Sequence, residues 1–320
     1  MAQTPPESAL LARLLAGAAR RAEQVLGDWL SPEVLERNLA QHVRGLLCRD
    51  PARADGRGRA AAQAALVSAE GWVAVAQALS TAESLPLPHA VLWAVAPLEG
   101  QALWPAPSVL GALSAQALQR LDVVGAAHTA VFLHGPPSAP PLELRAGLTP
   151  YKRWMAAPMA RLQASPVPAR SERVRVTTPA DLVFWPEYVR MYEEFWESDG
   201  ALRGRIGLER PEDLEEYISA GGLRLVWIDD ELAGVIGGVR MVELGLRGWR
   251  LRERVLGGRW RGAGFGSAAL DAVIRDLPAE PDDILWGTIL PENRGSMGSA
   301  ARLGRVDVGG LWWLGKGIGE

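Results

Sequence analysis

The stretch Arg261-Gly262-Ala263-Gly264-Phe265-Gly266-Ser267 sets three glycines at alternate positions, directly before a helix-forming run from Ser267 to Leu277. Without Cβ atoms, the backbone there can close on a bulky anion. The following helix turns its unbonded first-turn N–H groups and its positive dipole end toward the same spot. Arg261 adds a guanidinium able to pair with a phosphate. Strand, glycine turn and helix together make a pyrophosphate cradle. The spacing Gly264-x-Gly266-x-x-Ala269, with Asp282 and Asp283 downstream, also fits a dinucleotide turn. That fold needs repeated strand–helix–strand units, and only one follows. Gly310 to Lys316 imitates the start of a phosphate-binding P-loop, but Gly317 stands where Ser or Thr is required.

Proton chemistry would fall to carboxylates. Glu253 lies on the strand that feeds the glycine turn, and Glu243 ends the strand before it. Either can deprotonate an amine directly or through water, and either reads equally well as a solvent-facing strand residue. Glu197 and Asp199 can hold a cationic amine or simply form a solvated loop. The histidines 42, 89, 128 and 134 are scattered with no metal-ligand spacing, so no metal is expected. Cys48 is the single cysteine; it reads as a buried, inert thiol on a helix, in a reducing cytoplasm. Arg247, Arg250, Arg252 and Arg254 alternate along one strand, where they could meet a coenzyme 3′-phosphate or an acidic substrate. All but two of the basic residues are arginine (the lysines are Lys152 and Lys316), so compositional habit also explains that row.

The elements that must position these groups divide the chain. The first half is Ala-rich and helical in pattern: Ser31-Pro32-Glu33 is a helix start, and a second helix is expected from Arg59 to Leu79. Strands are expected at 89–96 and 126–133, with a helix at 114–121 between them. Residues 1–135 are read as an α/β domain, either one in its own right or a degenerate acetyltransferase-like copy of the second. Residues 136–169 carry many prolines and read as a linker holding a short helix at 151–162. From 170 to 320 the order is strand, two helices, an antiparallel meander, helix, strand, helix, strand. The meander is Leu223–Ile228, Leu232–Val242 and Trp249–Leu256, with a turn at Asp229-Asp230. Trp312 and Trp313 read as core or interface.

Length favours two domains: the chain has 320 residues, of which 48% are hydrophobic. A formal net charge of −3 gives no bulk pull toward nucleic acid or an anionic membrane, and no apolar run is long enough to cross a bilayer. The N-terminal apolar stretch reads as an amphipathic helix rather than a signal peptide.

The segment Arg261 to Gly266 resembles the Arg/Gln-x-x-Gly-x-Gly/Ala signature of the GNAT acyltransferases. Asn293-Arg294-Gly295-Ser296, closing at Leu303-Gly304, is similar to that family's Asn-x-x-Ser helix ending in Leu-Gly. The resemblance covers the second half and implies a mixed, largely antiparallel α/β (α+β) sheet flanked by helices. It also implies an N-acyltransferase that moves acetyl from acetyl-CoA to a primary amine by direct attack in a ternary complex. By that resemblance, the backbone at Val255, Leu256 and Gly257 bonds the pantetheine arm. The amides of Arg261, Gly262, Ala263, Gly264, Phe265 and Gly266, with Ser267, hold the pyrophosphate. Asn293 and Ser296 sit beside the arm or the thioester. The family's usual tyrosine acid, four residues before the Leu-Gly glycine, is Ala300 here, and Arg305 stands where an aromatic often follows. A final strand is missing or supplied by another segment. The expected partner is a small-molecule or peptide amine, and the open edge after the last strand invites a second copy as a homodimer. A non-catalytic module that keeps the fold for assembly or ligand sensing is the alternative.

Overall fold

The computed structural model describes residues 7–48, 64–79, 89–98, 104–121 and 128–314. The first half runs α1 (Glu7–Leu26), α2 (Pro32–Leu47), β1 (Ala64–Ala69), β2 (Trp72–Leu79), β3 (His89–Pro97), α3 (Pro107–Arg120), β4 (His128–His134) and α4 (Leu142–Arg145). It continues through β5 (Leu148–Pro158), α5 (Met159–Ala164), β6 (Val174–Thr177), α6 (Trp185–Ser198), α7 (Pro211–Ser219) and β7 (Leu223–Ile228). Then follow β8 (Glu231–Glu243), β9 (Leu246–Leu256), α8 (Phe265–Asp276), β10 (Ile284–Ile289), α9 (Arg294–Arg302) and β11 (Val306–Leu314). The architecture is mixed α/β, with helices flanking a largely antiparallel sheet, as expected.

Internal contacts divide the chain into two units. One holds residues 1–153, 242–246 and 308–320, and the other 154–241 and 247–307. The divide is not a linker. Residues 136–169 fold into α4, β5 and α5, so the prolines of that stretch bracket structure rather than replace it; residues 151–158 are strand where a helix was expected.

In the first unit the strand order begins β1-β2-β3-β4-β11. β1, β2 and β3 form an antiparallel meander, and β3 then pairs parallel with β4. The helix expected across 59–79 is therefore a hairpin over its described part, 64–79. Its turn is Glu70-Gly71, both at positive φ (49° and 78°). α3 packs on this sheet through Val109, Leu110, Leu113 and Ala117, against Leu92, Val131 and Trp312. α2 starts where the sequence places it: Ser31 Oγ accepts from the Val34 N–H. Cys48 does not match its expectation, since it caps α2 on the exposed surface. Trp312 and Trp313 are buried in β11, which takes the stretch that imitates a P-loop as far as Leu314.

In the second unit the order is β5-β10-β9-β8-β7-β6. β6, β7 and β8 pair antiparallel, and the hairpin turn Asp229-Asp230 has both residues at positive φ. β9 then pairs parallel with β10, from Gly248/Ile284 to Leu251/Gly287. Gly248 has φ +135°, and a Cβ there would lie 2.4 Å from the Ile284 carbonyl oxygen, so only glycine fits this joint. β10 is flanked by the upstream strand β5. The edge that the sequence reading left open, after the last strand, is not open, because β11 pairs antiparallel with β4 from Gly309/His134 to Trp313/Ala130. Two cores sandwich the sheet. On one face Tyr188, Met191, Leu214 and Tyr217 of α6 and α7 meet Leu223, Leu225, Val235 and Val255. On the other, Met159, Leu162, Phe265, Ala269 and Val273 of α5 and α8 meet Val226, Ile236, Trp249 and Leu251.

Candidate active site

A cleft of about 650 Å³ opens in the second unit. Its walls come from the end of α6 (Tyr192, Phe195, Ser198), the last residues of β9 (Arg254, Val255, Leu256), the turn into α8 (Trp260 to Gly266) and α9 with the loop before it (Glu292 to Arg302). Pairing between β9 and β10 stops at Leu251/Gly287 although both strands continue, so their ends part at the cleft.

The glycine turn is built as an anion cradle. Gly262 and Gly264 have φ +73° and +86°, and Gly262 has open space where a Cβ would project. Gly264 is the N-cap of α8 and offers no side-chain cap, so the first N–H groups of the helix keep their bonding capacity. Gly262, Gly264 and Gly266 all line the cleft. The residues present therefore fit a pyrophosphate. Two contacts from α6 hold the turn. Glu194 accepts from the Gly258 N–H at 2.6 Å, and Arg261 donates to Ser198 Oγ at 2.9 Å. Burial lowers the pKa of Arg261, and the Glu194 carboxylate works against that shift.

Glu253 is buried, 1% exposed, on the opposite side of β9 from α8. Tyr188 Oη donates to its Oε2 at 2.5 Å, and Tyr192 Oη reaches both carboxylate oxygens at 2.9 and 3.0 Å. Tyr188 Oη in turn accepts from the Glu209 N–H at 2.7 Å. Burial raises the Glu253 pKa to about 8, against the phenol hydrogen bonds, and the Glu209 carboxylate adds to the rise. Such a group holds a proton at neutral pH and releases it just above. Glu253 does not itself line the cleft; Tyr192, hydrogen-bonded to it, does.

No protein-family model matches the chain, and no curated protein matches it in sequence. Solved structures do match it in fold. A GCN5-related N-acetyltransferase from Sphaerobacter thermophilus superposes at TM-score 0.55 with 16% identity, covering 99% of this chain and 96% of its own. The GCN5-related glucosamine N-acetyltransferase region of a fungal GH3 β-N-acetylglucosaminidase gives 0.51 at 12% identity, covering 97% of this chain and 37% of that larger one. The chain has the GNAT fold.

Within that fold the expected coenzyme residues gather around one cleft. Val255, Leu256, Arg261, Gly262, Gly264, Gly266, Asn293 and Ser296 line it. Asn293 caps α9, its side chain accepting from the Ser296 N–H at 3.0 Å. Gly257, Ala263, Phe265 and Ser267 do not line it. The Gly257 N–H bonds the Ala233 carbonyl, Phe265 is core, and Ser267 is buried and accepts from Arg302. Glu243 is not brought to the cleft: it closes β8 among residues 242–246, which belong to the first unit. Asp199 is at the cleft but Glu197 is not among its lining residues. Ala300 is fully buried beside Met155, Ile289 and Met297. Burial, with Arg21 nearby, pushes the His134 imidazole down to about 3, a neutral core group. The described residues include no group of three His, Cys, Asp or Glu placed to hold a metal ion. The sequence reading missed Glu194, Ser198, Tyr188 and Tyr192; their only signal was a shared helix, with Tyr188 and Tyr192 one turn apart.

Proposed function

We propose that the protein is a coenzyme A-dependent N-acyltransferase, with acetyl from acetyl-CoA as the simplest acyl group and a primary amine as acceptor. The observation that carries this reading is the uncapped start of α8, whose three glycines face the cleft formed where β9 and β10 part. The coenzyme would supply an activated thioester. The turn from Arg261 to Gly266 would bind its phosphates, and the ends of β9 and β10 would flank its arm. Asn293 and Ser296 would line the path to the reacting end. Glu253 would take the amine's proton through Tyr192 or a water, since it has no surface of its own in the cleft. Asp199 and Glu292, also on the wall, suit a cationic acceptor. We place the reaction in a reducing cytoplasm, with a small molecule or a peptide as acceptor and neither nucleic acid nor membrane as partner.

The first unit repeats the plan of the second. An antiparallel meander leads into a parallel strand pair joined through a helix: β3, α3 and β4 in one, β9, α8 and β10 in the other. We read it as a diverged acetyltransferase-like copy. One observation favours a second reading, a GNAT-fold module without catalysis: Ala300 is buried core where the family's acid is expected.

Calorimetry with acetyl-CoA on the wild type and on Gly264→Asp tests the reading. Micromolar binding, about −8 kcal/mol, that the substitution abolishes supports it. A folded wild type that binds no coenzyme overturns it in favour of the second reading.

A further inference from the structure

Three arginines, Arg254, Arg302 and Arg305, lie together beside the cradle. Arg254 lies on the splayed end of β9 and lines the cleft; its nearest acceptor is the Gly266 carbonyl at 3.4 Å. Arg302 lines the cleft from α9 and donates to Ser267 Oγ at 3.3 Å. Arg305, 3% exposed, donates to the Met155 carbonyl and, at 3.5 Å, to the carbonyl of Gly287, at the last paired rung of β9 and β10. Among the described residues none of the three has an ion-pair partner. Burial lowers the pKa of Arg254 to about 10, and Arg302 adds to the fall; Arg305 is lowered to about 9 by burial and by Arg254. Arg302 is exposed, but holding Arg254 and Arg305 desolvated beside one another without a counter-ion is costly, and a bound anion would offset that cost.

The three side chains run from the cradle toward the gap between the parted strands. A Cβ at Gly266 would lie 3.0 Å from an Arg254 guanidinium nitrogen, so Arg254 borders the cradle while standing on the stretch of β9 that has parted from β10. Arg305 lies deeper, where the strands begin to part. An acetyl group reaching into that gap has no charge to offer. A carboxylate at the far end of the acyl chain has one, and guanidinium groups bind carboxylates with paired, charge-assisted hydrogen bonds.

We propose that Arg254, with Arg302 beside it and Arg305 behind, selects an acyl group ending in a carboxylate, so that the donor is the coenzyme A monothioester of a dicarboxylic acid. This rests on the cleft being the coenzyme site. The test is competition calorimetry of free coenzyme A, acetyl-CoA and succinyl-CoA on the wild type, Arg254→Gln and Arg302→Gln, each checked for folding by circular dichroism. The expected result is wild-type binding of succinyl-CoA about tenfold or more tighter than acetyl-CoA. Arg254→Gln erases that preference, and Arg302→Gln reduces it. Equal affinity for the two thioesters overturns the proposal and leaves the acyltransferase reading standing. So does an Arg254→Gln variant that weakens free coenzyme A as much as succinyl-CoA, which would make Arg254 a phosphate ligand. Failure of all three coenzymes to bind the folded wild type overturns the acyltransferase reading, and this proposal with it.

Discussion

At the scale of single residues, Glu253 links burial to chemistry. Its carboxyl is raised to about 8, so transfer to any amine acceptor should gain rate as pH climbs toward 8 and then level off. Glu253→Gln should cost roughly 10²–10⁴ in kcat while leaving coenzyme affinity unchanged by calorimetry. The same shift has a stability consequence. Between the carboxyl's ordinary value near 4.5 and about 8 the folded state holds a proton that the unfolded chain has released. Stability from this group is therefore complete below the lower value and lost as pH rises through 8. Melting curves at pH 6 and 9 should show the wild type falling by on the order of 5 °C more than Glu253→Gln. An equal fall in both proteins would mean that the carboxyl is ionised throughout. The carboxylate was legible in the sequence as a candidate base, but not its state. That state comes from Tyr188 and Tyr192, sixty-odd residues upstream, whose spacing on α6 is that of any buried aromatic face.

Among elements, the glycine turn depends on α6. Removing the Glu194 carboxylate leaves the Gly258 N–H without its acceptor. Glu194→Ala should lower stability in urea melts by about 1–2 kcal/mol and weaken coenzyme binding severalfold, and Glu194→Gln should recover most of both. Equal coenzyme affinity in all three would show that the turn holds its shape unaided. The turn and its helix could be read from sequence because glycine spacing and dipole are local. β1 and β2 could not. Their Ala64-Ala65, Ala74, Ala76 and Ala78 carry the best intrinsic helix propensity, and tertiary packing overrides it. Alanine suits these strands because it is small: Ala74 and Ala76 are fully buried beneath α3. The Glu70-Gly71 turn was the contrary signal.

For the whole molecule, β5 is the piece that sequence order hid. Pro150 and Pro158 read as breakers, yet they fall near the two ends of β5, where a missing N–H costs least. On either side of Pro158, Ala157, Met159 and Leu162 enter the core of the second unit, and the Met155 carbonyl takes the Arg305 guanidinium. The exposed stretch at Val167 is thus a place to cut the backbone but not the fold. With a protease site inserted after Pro168 and cleaved, the pieces 1–168 and 169–320 should elute together on gel filtration until denaturant is added. Separation in native buffer would show that β5 contributes little. The mate of β4 is equally distant: Leu133 pairs with Gly310, about 180 residues downstream. A ribosome therefore adds about 180 residues after β4 before that ladder can close. Until then the emerging first half presents a bare apolar edge, the kind of surface that chaperones shield and that crowded nascent chains use to aggregate.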